Sequence, residues 1–192
     1  GPNPKGWRVT TGGESSRLVM GQSPPGDTYN EAGAGVPFFQ GSSDFGFRFP
    51  SLRVFCTAPT RHARMGDSLV SVRAPVGDMN MAHVDCALGR GVAAVRHGSG
   101  SKSFTYYLVG SMGAPFARYD GEGTVFGSIN KAGFESIIHV DPPAHIVTVF
   151  DTLVGPFDDR IEVTASESEA LASLRDALLP RLLSGKVDLG GA

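Results

Sequence analysis

The sequence predicts an α+β protein in which one small globular domain of short mixed strands and helices is followed by a long C-terminal α-helix. Residues 1–140 are dense in glycine and proline and hold only short apolar stretches, a pattern typical of short strands and turns. From about residue 145 the apolar residues recur every three or four positions, which is the period of a helix. We therefore expect a domain at 1–143, a helix at 144–187 and a disordered tail at 188–192.

The first predicted element is a short helix that starts at Thr11. Thr11 and Glu14 have the spacing of a capping box, in which each residue satisfies a backbone amide of the first helical turn. The apolar residues 18–20 follow before Gly21, which is expected to end the element.

The next predicted elements are strands. Apolar residues occupy every second position over 52–57, between two prolines, which predicts a strand with one face in the core. Further strands are predicted at residues 68–74, 91–96 and 137–140.

Two short helices are predicted between the last two of these strands. Phe104, Tyr107 and Leu108 have helical spacing. Asn130 can accept hydrogen bonds from the first amides of a second, brief helix that reaches Phe134.

One apolar stripe runs along the predicted C-terminal helix. Pro156 is expected to kink or restart the helix and Pro180 to lie near its end, because proline lacks the amide donor and clashes with the preceding turn. An exposed stripe of this length is an aggregation hazard, so we expect a partner to cover it as a helix interface. The alternative is that the helix folds back on its own domain. The stripe consists of Phe150, Leu153, Phe157, Ile161, Leu171, Leu174, Leu178 and Leu182.

The basic residues are concentrated in the first half of the chain. The net charge is −2, but residues 1–100 hold ten Lys and Arg against seven Asp and Glu, whereas residues 101–192 hold seven against twelve. Thirteen of the seventeen cations are arginine, whose planar fork can bind guanine edges and phosphates bidentately. This distribution is compatible with nucleic-acid binding by the first half.

Membrane, secretory and metal-binding classes find no support in the sequence. No apolar run approaches the roughly 20 residues needed to span a bilayer, and the N-terminus lacks the layout of a signal peptide. We therefore expect a cytoplasmic protein without a membrane segment. Cys56 and Cys86 form no C-x-x-C pair and are expected to be buried as small apolar residues.

Several patterns suggest catalytic or ligand-binding chemistry, and each is incomplete. Residues 141–144 are similar to the D-P-P-aromatic loop of amino-methyltransferases but lack the aromatic residue, so a strand that ends in a proline turn is favoured. Residues 97–103 resemble the end of a P-loop, but Ser101 replaces the glycine before Lys102. The five histidines have no metal-ligand spacing, and the G-x-S-x-G pattern of a serine nucleophile is absent. We expect no catalytic residue, no metal and no cofactor in this chain.

Several collinear segments together resemble the specificity subunits of type I restriction-modification systems. The resemblance spans nearly the whole chain and rests on no single segment. Its segments are PKGW at 4–7, GQSPP at 21–25 with TYN at 28–30, PFFQG at 37–41, GD at 66–67 leading into SVRAPVG at 71–77, GRGVAA at 89–94, GSINK at 127–131 and LRDALLPRLLSG at 174–185.

The resemblance implies a DNA-reading scaffold without catalysis of its own. In such subunits two globular target-recognition domains each read one half of a bipartite DNA site, and two long helices hold them apart and dock methyltransferase subunits. This chain holds one domain and one helix, so it resembles a half-subunit or an excised repeat. A half-subunit can pair its helix antiparallel with a second copy, which presents two identical readers to a palindromic split target. The first predicted helix departs from the family, with Gly12 where an apolar residue is usual.

The resemblance also implies the partners and the location of the chemistry. The expected partners are double-stranded DNA, a methyltransferase subunit that brings S-adenosylmethionine, a restriction subunit that uses ATP, and a second copy of the chain. The competing hypothesis is a non-catalytic interaction protein, either an inhibitor or a truncated copy, that binds the methyltransferase through its helix without productive DNA reading. The acidic second half of the chain is compatible with that alternative.

Sequence reading is expected in irregular segments near 41–65, 97–105 and 113–126, because loops on a rigid scaffold can enter a groove. The recurrent motifs, Phe38 and Phe39 included, are expected to build turns and core. An arginine on a base edge discriminates sequence, whereas one on a phosphate adds affinity and salt dependence, and both roles stay open. The candidate DNA contacts are Gln22, Ser23, Arg48, Arg61, His62, Arg64, Arg73, Arg90, Lys102 and Arg118.

Overall fold

In the computed structural model, which describes residues 3–119 and 127–185, short strands are followed by a long helix. The chain divides into two units, Gly1–Gly155 and Pro156–Ala192. The strands are β1 (Arg8–Thr11), β2 (Ser16–Met20), β3 (Tyr29–Asn30), β4 (Val36–Phe39), β5 (Phe55–Cys56), β6 (His62–Ala63), β7 (Ser68–Ser71), β8 (Met79–Met81), β9 (Cys86–Leu88), β10 (Val92–His97) and β11 (Ile138–Asp141). The helices are α1 (Gly12–Ser15), α2 (Lys102–Gly110), α3 (Gly113–Ala117), α4 (Lys131–Glu135) and α5 (Ala144–Leu183). The α+β prediction is confirmed.

Within the described residues the strands form three sheets. The first pairs β1 with β11 in antiparallel orientation. The second has the order β2-β10-β7-β8 and is antiparallel throughout. The third has the order β3-β5-β4-β9-β6, and its central β4–β9 pair is parallel. Strands β2 and β6 are edge strands of different sheets, and both belong to the first unit.

Strand β10 is buried on both faces and joins two parts of the core. Ala93 and Val95 pack in one cluster with helix α2 and its surroundings. Val92 and Ala94 pack in a second cluster with the central strands of the third sheet. Since successive side chains of a strand point to opposite faces, the continuous apolar run in β10 follows from this double burial.

The predicted helix near Thr11 is only partly correct. The Glu14 carboxylate accepts the Thr11 backbone N–H at 3.1 Å, as the capping-box spacing requires. The helix nevertheless ends at Ser15, because residues 16–20 pair with β10 as strand β2. Gly12 is explained by close packing, since a Cβ there would lie 2.9 Å from the Phe134 carbonyl oxygen.

The predicted strands are all present, with changed bounds. The strand at 52–57 is reduced to Phe55–Cys56, which is the part that pairs with β3 and β4. The strand at 68–74 ends at Ser71, after which Arg73 makes only an isolated bridge with Ser128. The strands predicted at 91–96 and 137–140 are each displaced by one residue.

The predicted short helices are confirmed. Helix α2 covers Phe104, Tyr107 and Leu108, and helix α4 begins after Asn130. The Asn130 side chain accepts the Gly133 backbone N–H at 2.8 Å, as expected of an N-cap residue.

The long C-terminal helix is confirmed, and it is not interrupted at Pro156. Pro156 and Pro180 both lie inside α5, so the predicted restart is wrong. The tail predicted at 188–192 lies outside the described residues. None of the helices in the described part of the chain is long and apolar enough to cross a membrane.

Both cysteines are buried and unpaired, as the sequence predicts. Burial, together with the neighbouring carboxylates of Asp67 and Asp85, raises the pKa of the Cys86 thiol to about 12. The thiol is therefore protonated at neutral pH and chemically inert. Residues 3–119 and 127–185 contain no group of three or more His, Cys, Asp or Glu side chains that could hold a metal ion.

Candidate nucleic-acid interface

Four basic side chains surround a small depression between β2 and β6. Arg17 lies on β2, directly opposite Arg96 of β10. His62 lies on β6, and Arg64 follows just after that strand. These four residues, which we call the basic cleft, line a cavity of about 50 Å³. Arg17, His62 and Arg64 are exposed, and Arg96 is half-buried.

A single carboxylate, that of Asp67, lines the cleft. Asp67 is 5% exposed, pairs with the guanidinium of Arg96 and accepts the Arg64 backbone N–H at 2.8 Å. The turn that places it needs Gly66, whose φ of +86° lies in the left-handed region. Three arginines face one carboxylate, so the basic cleft carries a net positive charge.

Three polar side chains, Ser23, Gln40 and Arg90, form a second cluster, which we call the Ser23 cluster. Gln40 Nε2 donates to Ser23 Oγ at 2.7 Å, and Arg90 Nε donates to the same oxygen at 3.4 Å. The Arg90 backbone N–H approaches it at 3.3 Å. Arg90 is exposed, and its side-chain contact with Ser23 uses Nε of the guanidinium. A cavity of about 440 Å³ opens beside the cluster.

The glycines on either side of Arg90 bring its turn against Gln40. A Cβ on Gly89 would lie 2.5 Å from Gln40 Oε1 and 2.7 Å from Gln40 Cα. A Cβ on Gly91 would lie 2.5 Å from the Gln40 carbonyl oxygen, which accepts the Gly91 N–H at 2.9 Å. Only glycine permits this approach of two backbones, so the G-R-G sequence sets the position of Arg90.

The segment after β2 joins the basic cleft to the Ser23 cluster. The Gln22 N–H donates to the Leu88 carbonyl oxygen at 3.0 Å, and the Thr60 hydroxyl donates to the Gln22 carbonyl oxygen at 2.9 Å. Arg61 follows Thr60 and is exposed. We group the basic cleft and the Ser23 cluster with Gln22 and Arg61, which belong to the segments that connect them, and call this set the basic belt: Arg17, Gln22, Ser23, Gln40, Arg61, His62, Arg64, Arg90 and Arg96.

Six of the ten predicted DNA contacts lie in the basic belt, and Arg48 does not belong there. Arg48 is 7% exposed, with its guanidinium carbon 4.2 Å from the centre of the Tyr106 ring and Nη2 3.1 Å from the Tyr107 hydroxyl. Its side chain fastens the loop before β5 to helix α2. We therefore reassign Arg48 from DNA contact to structural residue.

The three remaining candidates are dispersed. Lys102 is half-buried at the start of α2, where its side chain lies against the Gly66 turn. Arg73 is exposed beside its bridge to Ser128, and Arg118 is exposed after α3. The segment predicted at 113–126 lies partly outside the described residues.

Sequence reasoning missed Arg17, Arg96 and Gln40. The sequence predicts a helix at Arg17, whereas its position beside Arg96 depends on the register of β2 against β10. A period-two reading of residues 16–20, in which Arg17 and Val19 share a face, is the signal that could have found it.

The exposed Arg8 and the buried His97 and Asp141 form a group that links β1, β10 and β11 in the first unit. Arg8 Nη2 lies 3.0 Å from Asp141 Oδ2, and His97 Nε2 lies 3.1 Å from Asp141 Oδ1. Burial lowers the pKa of His97, and the Asp141 carboxylate opposes that shift. The other ring nitrogen of His97 accepts the Ser99 N–H at 3.1 Å, and Ser99 Oγ in turn accepts the Ser101 N–H at 3.3 Å. These contacts stabilise the turn after β10. Asp141 is the last residue of β11 and precedes two prolines, which confirms the predicted strand that ends in a proline turn.

The comparisons with known proteins point to one family. No protein-family model matches the chain. The chain is 34% identical over 191 residues to a protein of Methanocaldococcus jannaschii assigned as the specificity subunit of the type I restriction enzyme MjaX. The match covers 97% of this chain and 45% of that protein. The chain therefore spans about half the length of this curated relative.

Solved structures agree with that comparison. A chain from a structural study of the assembly and conformational transition of the type I R-M system is 36% identical, with a TM-score of 0.67, over 94% of this chain and 46% of that one. The HsdS subunit from Thermoanaerobacter tengcongensis is 32% identical, with a TM-score of 0.70, over 97% and 47%. The S subunit of a type I system from M. genitalium, at 19% identity and a TM-score of 0.69 over 93% and 46%, shares the fold.

Proposed function

Because the chain belongs to the type I restriction-modification specificity subunits, of which it spans about half, we propose that it is the DNA target-recognition half of such a subunit. In this role it reads one half of a bipartite DNA target, docks the methyltransferase subunit and has no catalytic activity of its own. The observation that carries the proposal is the 34% identity along 97% of the chain to the MjaX specificity subunit.

The basic belt supports the DNA-reading role. It contains four exposed arginines, Arg17, Arg61, Arg64 and Arg90, of which Arg17 and Arg64 line the same cleft. Clustered arginines lower the free energy of binding to the phosphate backbone, and a guanidinium with free terminal nitrogens can also address a base edge. The belt draws all of its residues from the half of the chain with the basic excess.

The exposed apolar residues of α5 support docking and self-pairing. Leu171, Leu174, Leu178 and Leu182 are 66%, 54%, 37% and 41% exposed, and all face one side of the helix at steps of three or four residues. Such a stripe is stabilised by another helix, so we propose that two copies pair through α5 and that the methyltransferase docks there too. Phe150 differs from the rest, because its ring packs 5.8 Å from Phe104 and 5.7 Å from Tyr107.

The chemistry is proposed to reside in partner subunits in the cytoplasm. The methyltransferase would carry S-adenosylmethionine, and a restriction subunit would use ATP. The chain's own contribution is position, since it decides which base the methyltransferase reaches.

Co-expression with a cognate methyltransferase tests the proposal. We expect mapping of methylated adenines to reveal one short, bipartite, palindromic motif that is absent when either protein is expressed alone. A chain that copurifies with the methyltransferase but directs no methylation to any motif would overturn the reading role and support the interaction-only hypothesis.

A further inference from the structure

We propose that the basic cleft formed by Arg17, His62, Arg64 and Arg96 is a binding site for one backbone phosphate of DNA. This inference rests on the proposed function and refines it. It assigns Arg17 and Arg96 to DNA binding, and it divides the basic belt into a part that holds the backbone and a part, around Arg90, that faces the bases.

The pairing of Arg17 with Arg96 is the first argument. The two residues are directly opposite each other in the β2–β10 register, where side chains lie about 5 Å apart and like charges destabilise the sheet. Asp67 compensates Arg96 but leaves Arg17 without a carboxylate partner among the described residues. An anion between the two arginines would relieve the repulsion, so the arrangement favours a negatively charged ligand.

The fixed position of Arg64 is the second argument. Its backbone N–H is held by Asp67 at 2.8 Å, while its side chain is exposed and makes no ion pair in the described part of the chain. Asp67 thus positions both sides of the cleft, since it also holds the Arg96 guanidinium. Because the Arg64 backbone and the Arg96 guanidinium are already held before binding, less conformational entropy is lost when an anion binds than in a site formed from unconstrained residues.

The size of the cleft is the third argument. A cavity of about 50 Å³ has room for a few water-sized groups, such as the oxygens of a phosphate. The cavity beside the Ser23 cluster is larger, at about 440 Å³. The difference supports backbone binding at the cleft and leaves base contacts to the other end of the belt.

The salt dependence of DNA binding tests the inference. The 192-residue chain is titrated into a fluorescein-labelled 20-base-pair duplex at 50 to 200 mM KCl, and anisotropy gives the slope of log affinity against log salt. Each phosphate contact that is removed is expected to reduce the slope by about 0.9. The salt-induced loss of affinity across this range should therefore be about 3.5-fold smaller for Arg17→Ala and for Arg64→Ala than for the unchanged chain.

Conservative and control variants separate a phosphate contact from other roles. Arg17→Lys should keep the original slope, because a phosphate accepts a point charge whereas bidentate base recognition does not. Arg175→Ala, which removes an exposed arginine paired with Asp176 on α5, should leave the slope unchanged. The thermal midpoint of Arg17→Ala should be equal to or slightly higher than that of the unchanged chain, because the substitution removes an exposed side chain and its repulsion with Arg96.

Three results would overturn the inference, and they differ in what they imply for the proposed function. An unchanged slope in both alanine variants, with methylation of a bipartite motif intact, refutes the cleft site alone. A reduced slope in Arg17→Lys equal to that in Arg17→Ala refutes the role of charge. No DNA binding by the unchanged chain at 50 mM KCl, together with no directed methylation on co-expression, refutes both proposals.

Discussion

The replacement of Arg48 by alanine distinguishes a structural arginine from a DNA-binding one. Arg48 is 7% exposed, and its guanidinium lies 4.2 Å from the Tyr106 ring centre and donates to the Tyr107 hydroxyl at 3.1 Å. A desolvated cation–π contact contributes about 2 kcal/mol, and a hydrogen bond from a charged group contributes about 1.5 kcal/mol. Tyr107 is 39% exposed, so its hydroxyl can hydrogen-bond to water after the substitution, which reduces the loss of folding free energy. We expect the free energy of unfolding to fall by about 3 kcal/mol.

The expected effect of Arg48→Ala is measurable by thermal denaturation. For a chain of this size, 1 kcal/mol corresponds to about 2–4 °C, so the thermal midpoint should fall by about 6–12 °C. Anisotropy at a temperature well below both midpoints should give the same DNA affinity and salt slope as the unchanged chain. Arg61→Ala, at an exposed position, is the matched control and should change unfolding by less than about 0.5 kcal/mol. A stable Arg48→Ala variant with weakened DNA binding would show that the packing argument is wrong.

Four further predictions concern recognition, assembly, pH and folding. Arg61→Ala should weaken or relax target recognition. Unchanged methylation at every site on co-expression would show that Arg61 is not a DNA contact. Leu174→Glu should shift the chain from dimer to monomer in light scattering at micromolar concentration, because it places a charge in the α5 stripe; a monomeric unchanged chain would contradict the self-pairing. Because burial lowers the pKa of His97 in the folded state, the unfolded state binds the proton first, and stability should fall as the pH drops below about 6.5. His97→Gln should flatten that dependence in urea titrations at several pH values, and an equally steep dependence in the variant would assign it to other groups. Gly89→Ala should destabilise the fold by about 1–3 kcal/mol, since its Cβ would lie 2.7 Å from the backbone Cα of Gln40; an unchanged urea midpoint would show that the turn can move aside.

The elements that the sequence predicted correctly are those decided by local interactions. The cap at Asn130 and the helical spacing of Phe104, Tyr107 and Leu108 depend on residues three or four positions apart, and both helices are present. The long helix follows from one repeating stripe. Residues 16–20 were misassigned because their strand is selected by pairing with β10, which lies more than seventy positions later in the chain.

The candidate interface could be predicted only in part, for the same reason. Residue type and loop position predict Gln22, Ser23, Arg61, His62 and Arg64 as candidate DNA contacts, and a position beside a strand end predicts Arg90. That Arg17 and Arg96 are neighbours follows only from the register between two strands. That Gln40 lies beside Arg90 follows only from the close approach that Gly89 and Gly91 allow. Arg48 belongs to a loop that resembles a binding loop in sequence, but two tyrosines of α2 hold its side chain inside.

The basic belt is assembled from chain segments that are far apart in sequence. Its residues begin at Arg17 and end at Arg96, and contacts between distant segments bring them together, among them the pairing of β2 with β10, the contact of Thr60 with Gln22 and the hydrogen bonds of Ser23 with Gln40 and Arg90. A peptide copied from any one segment would therefore lack most of the surface, and a graft of one loop onto another scaffold would not transfer it. A transplant of the whole belt to another protein of this fold would have to move residues 16–97 as one block, and the recipient's α2 would have to fit the core side chains of β10 that the block contains.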